Sequence, residues 1–130
     1  MLDKKKILKA IDGAYKARSA GDNAAMATYW APGATFRLAA DAKHLKGVPV
    51  KAGAVASVNK LMEQFRFKGL KRVDAVVEGN SAAVHWKVKV TNPAGKSAQV
   101  ELYDLWKFNK AGKAVSLMQF TDTATLRSLL

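Results

Sequence analysis

Apolar residues in the first part of the chain recur at helical spacing. A first amphipathic helix is indicated by the apolar positions Ile7, Leu8, Ile11, Ala14 and Tyr15. Gly21 is suited to end this helix, and Asp22 is suited to cap a shorter second helix through Met26 and Tyr29. The tripeptide Ala31-Pro32-Gly33 then breaks the pattern. The region therefore predicts two helices in succession.

The next segment combines a short alternating run with a longer helical pattern. Thr35-Phe36-Arg37-Leu38 alternates between apolar and polar residues, which predicts a short strand. A loop of small and charged residues follows and ends at Gly47 and Pro49. We expect a third helix that closes near Gly69, because apolar residues share one of its faces at Val55, Val58, Leu61, Met62 and Phe65.

From Val73 onward the apolar pattern changes to period two, which is typical of strands. Turn residues divide this region, so we expect four strands, at residues 73–78, 82–90, 100–108 and 114–121. A short final helix is expected after them, capped by Thr121 or Asp122, with apolar residues at Leu126, Leu129 and Leu130.

This order of elements defines a fold class. Three helices surround one short strand and a four-stranded antiparallel meander follows, which predicts an α+β protein. A curved sheet beneath helices leaves a conical space, and such spaces commonly take small molecules. We therefore predict a cone-shaped, cystatin-like fold, in which three N-terminal helices pack on a curved, mainly antiparallel sheet with a central pocket. Residues 1–130, without repeats or linkers, fit a single domain.

The strand from Val100 to Phe108 carries an aspartate on its apolar face. Alternate side chains of a strand share a face, so Asp104 points to the same side as its largest apolar neighbours. Burying a carboxylate is costly unless it is paired, hydrogen-bonded or protonated. Asp104 is therefore either a donor or base for a ligand, or a residue satisfied by Tyr15, a tryptophan N–H or water that only orients the core.

Composition narrows the classes of function. The chain has no cysteine, which excludes disulfides, thiolate metal sites and cysteine nucleophiles. It has no apolar N-terminal segment and no run of membrane-spanning length, so we expect a cytoplasmic protein without a membrane partner. The net charge of +12 is extreme, but the lysines are spread along the chain without a nucleic-acid-binding motif. We therefore expect a solubilising surface, no specific nucleic acid, no cofactor and no metal.

Several groups of residues occur in a recognisable order. They are Gly21-Asp22, Tyr29-Trp30-Ala31-Pro32-Gly33-Ala34-Thr35, Gly47, Tyr103-Asp104-Leu105-Trp106-Lys107-Phe108 with Gly112, and Gln119-Phe120-Thr121-Asp122. Together they resemble the nuclear transport factor 2 (NTF2)-like superfamily, which includes ketosteroid isomerases and SnoaL-like polyketide cyclases. The resemblance covers nearly the whole chain and implies a SnoaL-like domain with a small-molecule cavity. Because this superfold carries many activities, the resemblance alone does not define one.

The resemblance implies three candidate catalytic residues. Asp104 matches the oxyanion-hole aspartic acid of ketosteroid isomerases, which an apolar site keeps protonated in that family. Tyr15 lies one residue out of step with their oxyanion-hole tyrosine. Their catalytic base corresponds to Leu38, and because leucine cannot carry a proton, we do not expect ketosteroid isomerisation. Asp122 resembles the acid/base aspartate of SnoaL-like cyclases, and it equally suits a helix N-cap.

Other residues are expected to contact a ligand or a second subunit. The candidate ligand-binding residues are Trp30, Leu38, Trp86, Val100, Leu102, Trp106, Gln119 and Thr121. The implied ligand is a small apolar or aromatic molecule with a carbonyl or hydroxyl group. The resemblance also implies a homodimer through the outer sheet face, at His85, Tyr103 and Leu105. His44 falls in the loop before Gly47, where a solvated histidine is the simpler interpretation.

Two functions remain open at this point. The first is a small-molecule-binding SnoaL-like protein, with cofactor-free isomerase, cyclase or dehydratase/hydratase chemistry on an apolar oxygenated ligand. The second is a non-catalytic dimerisation or accessory module with a packed cavity. Leu38, in place of a base, and the lack of a complete catalytic set favour the second function.

Overall fold

Four helices and a six-stranded mixed sheet make up residues 2–130, which a computed structural model describes. The helices are α1 (Lys4–Ala20), α2 (Asn23–Ala27), α3 (Ala54–Gln64) and α4 (Thr123–Ser128). The strands are β1 (Trp30–Leu38), β2 (Lys51–Gly53), β3 (Arg66–Glu78), β4 (Ser81–Thr91), β5 (Ser97–Phe108) and β6 (Ala114–Thr121). Their order across the sheet is β2-β1-β6-β5-β4-β3.

The predicted α+β class is confirmed, with a correction to the arrangement of its elements. Strands β1 and β2 precede α3, so the three predicted helices are not all N-terminal, while α4 is the short final helix that was predicted. The sheet is mixed because β1 pairs with β6 in parallel, whereas the other neighbours are antiparallel. The parallel pairing follows from connectivity: the chain leaves β1, forms β2 and α3, and returns to β1 only with its last strand.

The first strand is longer than its alternating residues predicted. β1 begins at Trp30, which already pairs with Ala114, and the register shifts before Thr35. Gly33 lies in this irregular stretch with a φ of 75°, a left-handed value that favours glycine. The predicted break at residues 31–33 is therefore a bulge inside a strand, and it holds Trp30 on the buried side.

The prediction that α3 closes near Gly69 is wrong. The helix ends at Gln64, Phe65 is extended with φ −137° and ψ 101°, and β3 begins at Arg66. Gly69, with a φ of 65°, occupies a register shift within β3. The alternation of Phe65 and Phe67 is the period-two signal that marks this strand start. Strand β2 follows the predicted loop and was not predicted, because its three exposed residues carry no apolar pattern.

Helix α1 carries the buried stripe that faces the sheet. Asp3 caps its first turn by accepting a hydrogen bond from the Lys5 amide at 2.8 Å, and Gly21 ends it in the left-handed conformation. Tyr15 and Arg18 are both buried on this helix. Residues three positions apart are neighbours on a helix surface, so the fold brings these two polar side chains to one side of the interior.

Candidate functional site

A narrow cavity lies between the helices and the inner face of the sheet. It is lined by Ala14, Tyr15, Arg18, Met26, Trp30, Phe36, Leu38, Val58, Leu61, Phe65, Phe67, Val90, Leu102, Trp106, Leu117, Gln119 and Leu126. Its void measures about 630 Å³ with the mouth included, and about 50 Å³ of this admits the centre of a water molecule. That is room for roughly three to five waters. Only Tyr15, Arg18 and Gln119 interrupt the apolar lining.

Tyr15, Asp104 and Gln119 form a hydrogen-bonded network at the cavity wall. The Tyr15 hydroxyl donates to Asp104 Oδ2. Gln119 Nε2 donates to Tyr15 Oη at 3.0 Å and to Asp104 Oδ1 at 3.1 Å. Asp104 is 0% exposed and is not among the lining residues, so Tyr15 and Gln119 stand between its carboxyl and the cavity.

The protein interior keeps Asp104 close to its titration point at physiological pH. Burial raises the pKa of this carboxyl from 3.8 to about 6, because the charged form loses its hydration. Donation from Tyr15 and Gln119 opposes the shift. The indole N–H groups of Trp106 and Trp86 also lower this pKa, although among residues 2–130 neither makes a hydrogen bond of normal geometry.

Tyr15 remains a neutral phenol across the physiological range. Its pKa is raised well above 10.0, first by burial and then by the negative charge and hydrogen bond of Asp104. With Asp104 ionised, the Tyr15 proton is committed to the carboxylate and one of its lone pairs is committed to Gln119. A second lone pair of the hydroxyl remains for a ligand donor.

Arg18 is the site residue that sequence reasoning missed. Its side chain lines the cavity, yet it is only 8% exposed, which is rare for an arginine. Its guanidinium lies 3.8 Å from the centre of the Phe67 ring, and Nη2 donates to the Leu61 carbonyl at 3.3 Å. The available signal was its spacing, because Arg18 follows Ile11, Ala14 and Tyr15 on the same helical face.

Five of the eight predicted ligand-binding residues line the cavity together. They are Trp30, Leu38, Leu102, Trp106 and Gln119. The stacked rings of Trp30 and Trp106, with centroids 5.3 Å apart, form an aromatic surface on this wall. Leu38 is buried in the lining, where it contributes an apolar side chain.

The remaining predicted site residues lie away from the cavity. Trp86 is buried against the Tyr15 ring, with centroids 4.5 Å apart, and Val100 is buried further along β5. Thr121 instead donates to the Glu101 carbonyl at 2.7 Å and borders a groove on the other side of the sheet. Alternation along a strand gives the face of a residue, and for Trp86 and Val100 the depth of the cavity along that face made the difference.

Asp122 is an exposed helix cap. Its carboxylate accepts from the Thr125 amide at 3.0 Å and from the Thr125 hydroxyl at 2.6 Å, at the start of α4. These hydrogen bonds lower its pKa. The interpretation as an N-cap therefore accounts for Asp122, which lies outside the cavity lining.

The histidines lie outside the cavity lining. His44 is exposed, and His85 pairs with Glu101 Oε1 at 2.7 Å on the outer sheet face. Within residues 2–130, the His, Asp and Glu side chains form no group of three suited to a metal ion. No helix in this described part of the chain combines the length and apolar character needed to cross a membrane.

Helices packed on a six-stranded mixed sheet, with an apolar cavity between them, give this chain the α+β fold of NTF2-like proteins. The chain belongs to the SnoaL-like domain family, whose model matches residues 11–117. No curated protein matches the chain.

Solved structures share the fold at low sequence identity. An NTF2-like protein of unknown function from Burkholderia pseudomallei superposes with a TM-score of 0.80 at 19% identity, covering 95% of this chain and 96% of that one. TerC, crystallised with polyporic acid, superposes with a TM-score of 0.78 at 16% identity, covering 95% of this chain and 97% of that one. A candidate SnoaL-like polyketide cyclase from Jannaschia sp. CCS1 superposes with a TM-score of 0.75 at 13% identity, covering 99% of this chain and 96% of that one.

Proposed function

We propose that this protein binds a small apolar molecule and holds one of its oxygen atoms against Tyr15 and Gln119. The observation that carries this proposal is the Tyr15–Asp104–Gln119 network in a wall that is otherwise apolar. A buried polar network of this kind is expensive unless its members are satisfied. Here the network is satisfied by the protein, and it still presents a hydroxyl and an amide to the cavity.

Asp104 acts through Tyr15 rather than by direct contact with the ligand. With Asp104 ionised, a ligand hydroxyl donates to Tyr15 Oη. As the ligand O–H bond breaks, its proton passes to Tyr15 and the Tyr15 proton passes to Asp104 Oδ2. The products are an anionic ligand oxygen and a neutral carboxyl, and the reverse transfer restores both. A base with a pKa of about 6 is suited to this exchange near neutral pH.

Below pH 6 the same network presents the opposite polarity. A protonated Asp104 donates to Tyr15 Oη, and this releases the Tyr15 proton to donate to a ligand carbonyl. The network therefore binds a hydroxyl in one protonation state and polarises a carbonyl in the other. This property supports cofactor-free isomerisation, cyclisation or hydration. Chemistry of this kind does not require a base at position 38, which is a leucine.

The narrow cavity favours a second candidate, an accessory module whose interior only stabilises the fold. Room for a few waters is less than a drug-sized ligand needs, so such a ligand requires movement of the wall. The two candidates differ in one measurable respect, because a packed interior has no affinity for small molecules. TerC was crystallised with polyporic acid, which favours the first candidate by analogy of fold.

Titration with lipophilic phenols and ketones tests the binding proposal. Trp30 and Trp106 line the cavity, so tryptophan fluorescence reports occupancy. We expect Tyr15→Phe to weaken phenol binding about tenfold, the value of one hydrogen bond, and Asp104→Asn to alter the pH dependence of binding. Tyr103→Phe, on the exposed outer face, is the matched control. Equal affinities in wild type, Tyr15→Phe and Asp104→Asn would remove this role, and absence of any binding would favour the accessory module.

We also propose a homodimer through the outer face of the sheet. Tyr103, Leu105 and Phe120 are exposed there at 47%, 40% and 49%, and they form an apolar patch across two paired strands. Leu105→Asp should shift the protein to a monomer in light scattering after gel filtration, whereas Lys60→Asp on α3 should not. A wild type that is already monomeric at high concentration contradicts the proposal.

A further inference from the structure

Arg18 is a buried cation without an anionic partner. Among residues 2–130 no carboxylate lies within 4.0 Å of its guanidinium, and Nη1 has no hydrogen-bond partner. Burial lowers its pKa to about 10, so the group is positively charged throughout the physiological range. Buried charges in proteins are normally paired, because the loss of hydration costs several kcal/mol for each ion.

A purely structural role accounts for only part of this arginine. Its position in the last turn of α1 is favourable to a cation, and the Leu61 carbonyl lies in the last turn of α3. The stack on Phe67 adds a cation–π contact. These contacts use one nitrogen and one face of the guanidinium. They leave the second terminal nitrogen, Nη1, buried and unsatisfied in a side chain that lines an apolar cavity.

The approach to Arg18 is also positively charged. An exterior cleft shares Arg18 and Phe67 with the cavity and is further lined by Arg66, Lys68 and Glu63. Two exposed cations against one exposed anion make this cleft attractive to a negative ligand, in a protein whose net charge is +12. The internal cavity and the positively charged external cleft thus meet at Arg18.

The geometry points to a carboxylate site at Arg18, and we infer that the ligand is a flat aromatic monocarboxylate with a hydroxyl or carbonyl oxygen. Arg18 is the one charged side chain in the lining, so it balances one negative charge. The planar fork of a guanidinium matches a carboxylate. Because the void is narrow, a flat ring needs less movement of the cavity wall than a bulkier ligand would. The inference rests on the proposed function, because Tyr15 and Gln119 receive the second oxygen.

Four probes separate the two contributions: 4-hydroxycinnamate, its primary amide, cinnamate and cinnamamide, each titrated by calorimetry at pH 7.5. The acid–amide difference reports the charge at Arg18, and the hydroxyl–hydrogen difference reports Tyr15. We expect 4-hydroxycinnamate to bind at least tenfold more tightly than its amide. Arg18→Met and Arg18→Gln should abolish this preference and leave amide affinity within about twofold. Arg37→Met, at an exposed arginine on β1, is the matched control.

The outcomes distinguish this inference from the proposed function. If the hydroxyl preference is present while acid and amide bind equally, the carboxylate site is overturned and the proposed function stands. If none of the four probes binds, both are overturned. If either Arg18 variant fails to fold, wild-type titrations at rising salt concentrations replace it. A carboxylate site requires the acid to keep its preference over the amide, with a smaller preference at higher salt.

Discussion

The two polar sites in the cavity wall differ in how far the protein satisfies them. Asp104 has hydrogen bonds from Tyr15 and Gln119, and two indole N–H groups lie close by. Arg18 has one hydrogen bond and one ring, and its Nη1 lacks a partner. Both residues are buried and both have pKa values moved toward neutrality by desolvation.

The difference teaches which group is structural support and which is open to a ligand. Donors around Asp104 depend on its carboxyl oxygens, so removing the carboxyl leaves several buried N–H and O–H groups unsatisfied. Within residues 2–130, Arg18 supports fewer groups, because it donates one hydrogen bond to a carbonyl and stacks on one ring. We therefore expect opposite responses to apolar substitution at the two residues.

The largest effect is expected from Asp104→Leu. The substitution removes the acceptor shared by Tyr15 and Gln119 and leaves buried donors without partners. We expect a loss of about 3–5 kcal/mol in the free energy of unfolding, measured by urea denaturation. Asp74→Leu, at an exposed aspartate on β3, should change it by less than about 1 kcal/mol. If Asp104→Leu lost no more unfolding free energy than the control, the network would not stabilise the fold.

The second prediction concerns the pH dependence of stability that Asp104 causes. The unfolded chain ionises Asp104 near pH 3.8, whereas the folded chain does so near 6, so its contribution to stability is complete below about pH 4 and is lost as the pH rises to about 6. The loss amounts to roughly 2–3 kcal/mol. Asp104→Asn lacks this titration, so its stability relative to wild type should improve by that amount between pH 4 and 7. Parallel pH profiles of the two proteins would contradict a raised pKa.

A smaller effect is expected at Gln119, which bridges the network. Gln119→Leu removes donors to Tyr15 and Asp104, and we expect a loss of about 1–2 kcal/mol. Because donation from Gln119 lowers the pKa of Asp104, the variant should also raise that pKa. The pH dependence of unfolding then extends to higher pH than in wild type. Gln99→Leu, at an exposed glutamine on β5, should reproduce neither change.

The smallest effect on stability is expected from Arg18→Met. The substitution replaces an unpaired buried cation with an apolar chain of similar length, and such replacements are often neutral or stabilising. We expect a change within about 1 kcal/mol in the ligand-free protein. A loss as large as that of Asp104→Leu would mean that Arg18 is a structural bridge between α1 and α3.

Sequence periodicity was a good guide to elements and a weaker guide to their ends. The strands β4 and β5 follow from strict alternation, which local sterics impose on any half-buried strand, whereas burial along β6 is irregular. Gly33 and Gly69 read as helix breaks but serve as points where strand register shifts. A glycine with a positive φ can end a helix or lie at a register shift in a strand. Only the pairing with a neighbouring strand distinguishes the two roles.

The sequence was sufficient for the fold class, the family resemblance and the inward direction of Asp104, because these depend on local periodicity and residue order. The site itself depends on contacts between distant residues. Tyr15 meets Asp104 across 89 positions and Arg18 meets Leu61 across 43. Periodicity shows that each side chain is buried, but packing determines whether it finds a partner. Asp104 therefore lies behind Tyr15 and Gln119, and Arg18 lines the cavity with one nitrogen unpaired.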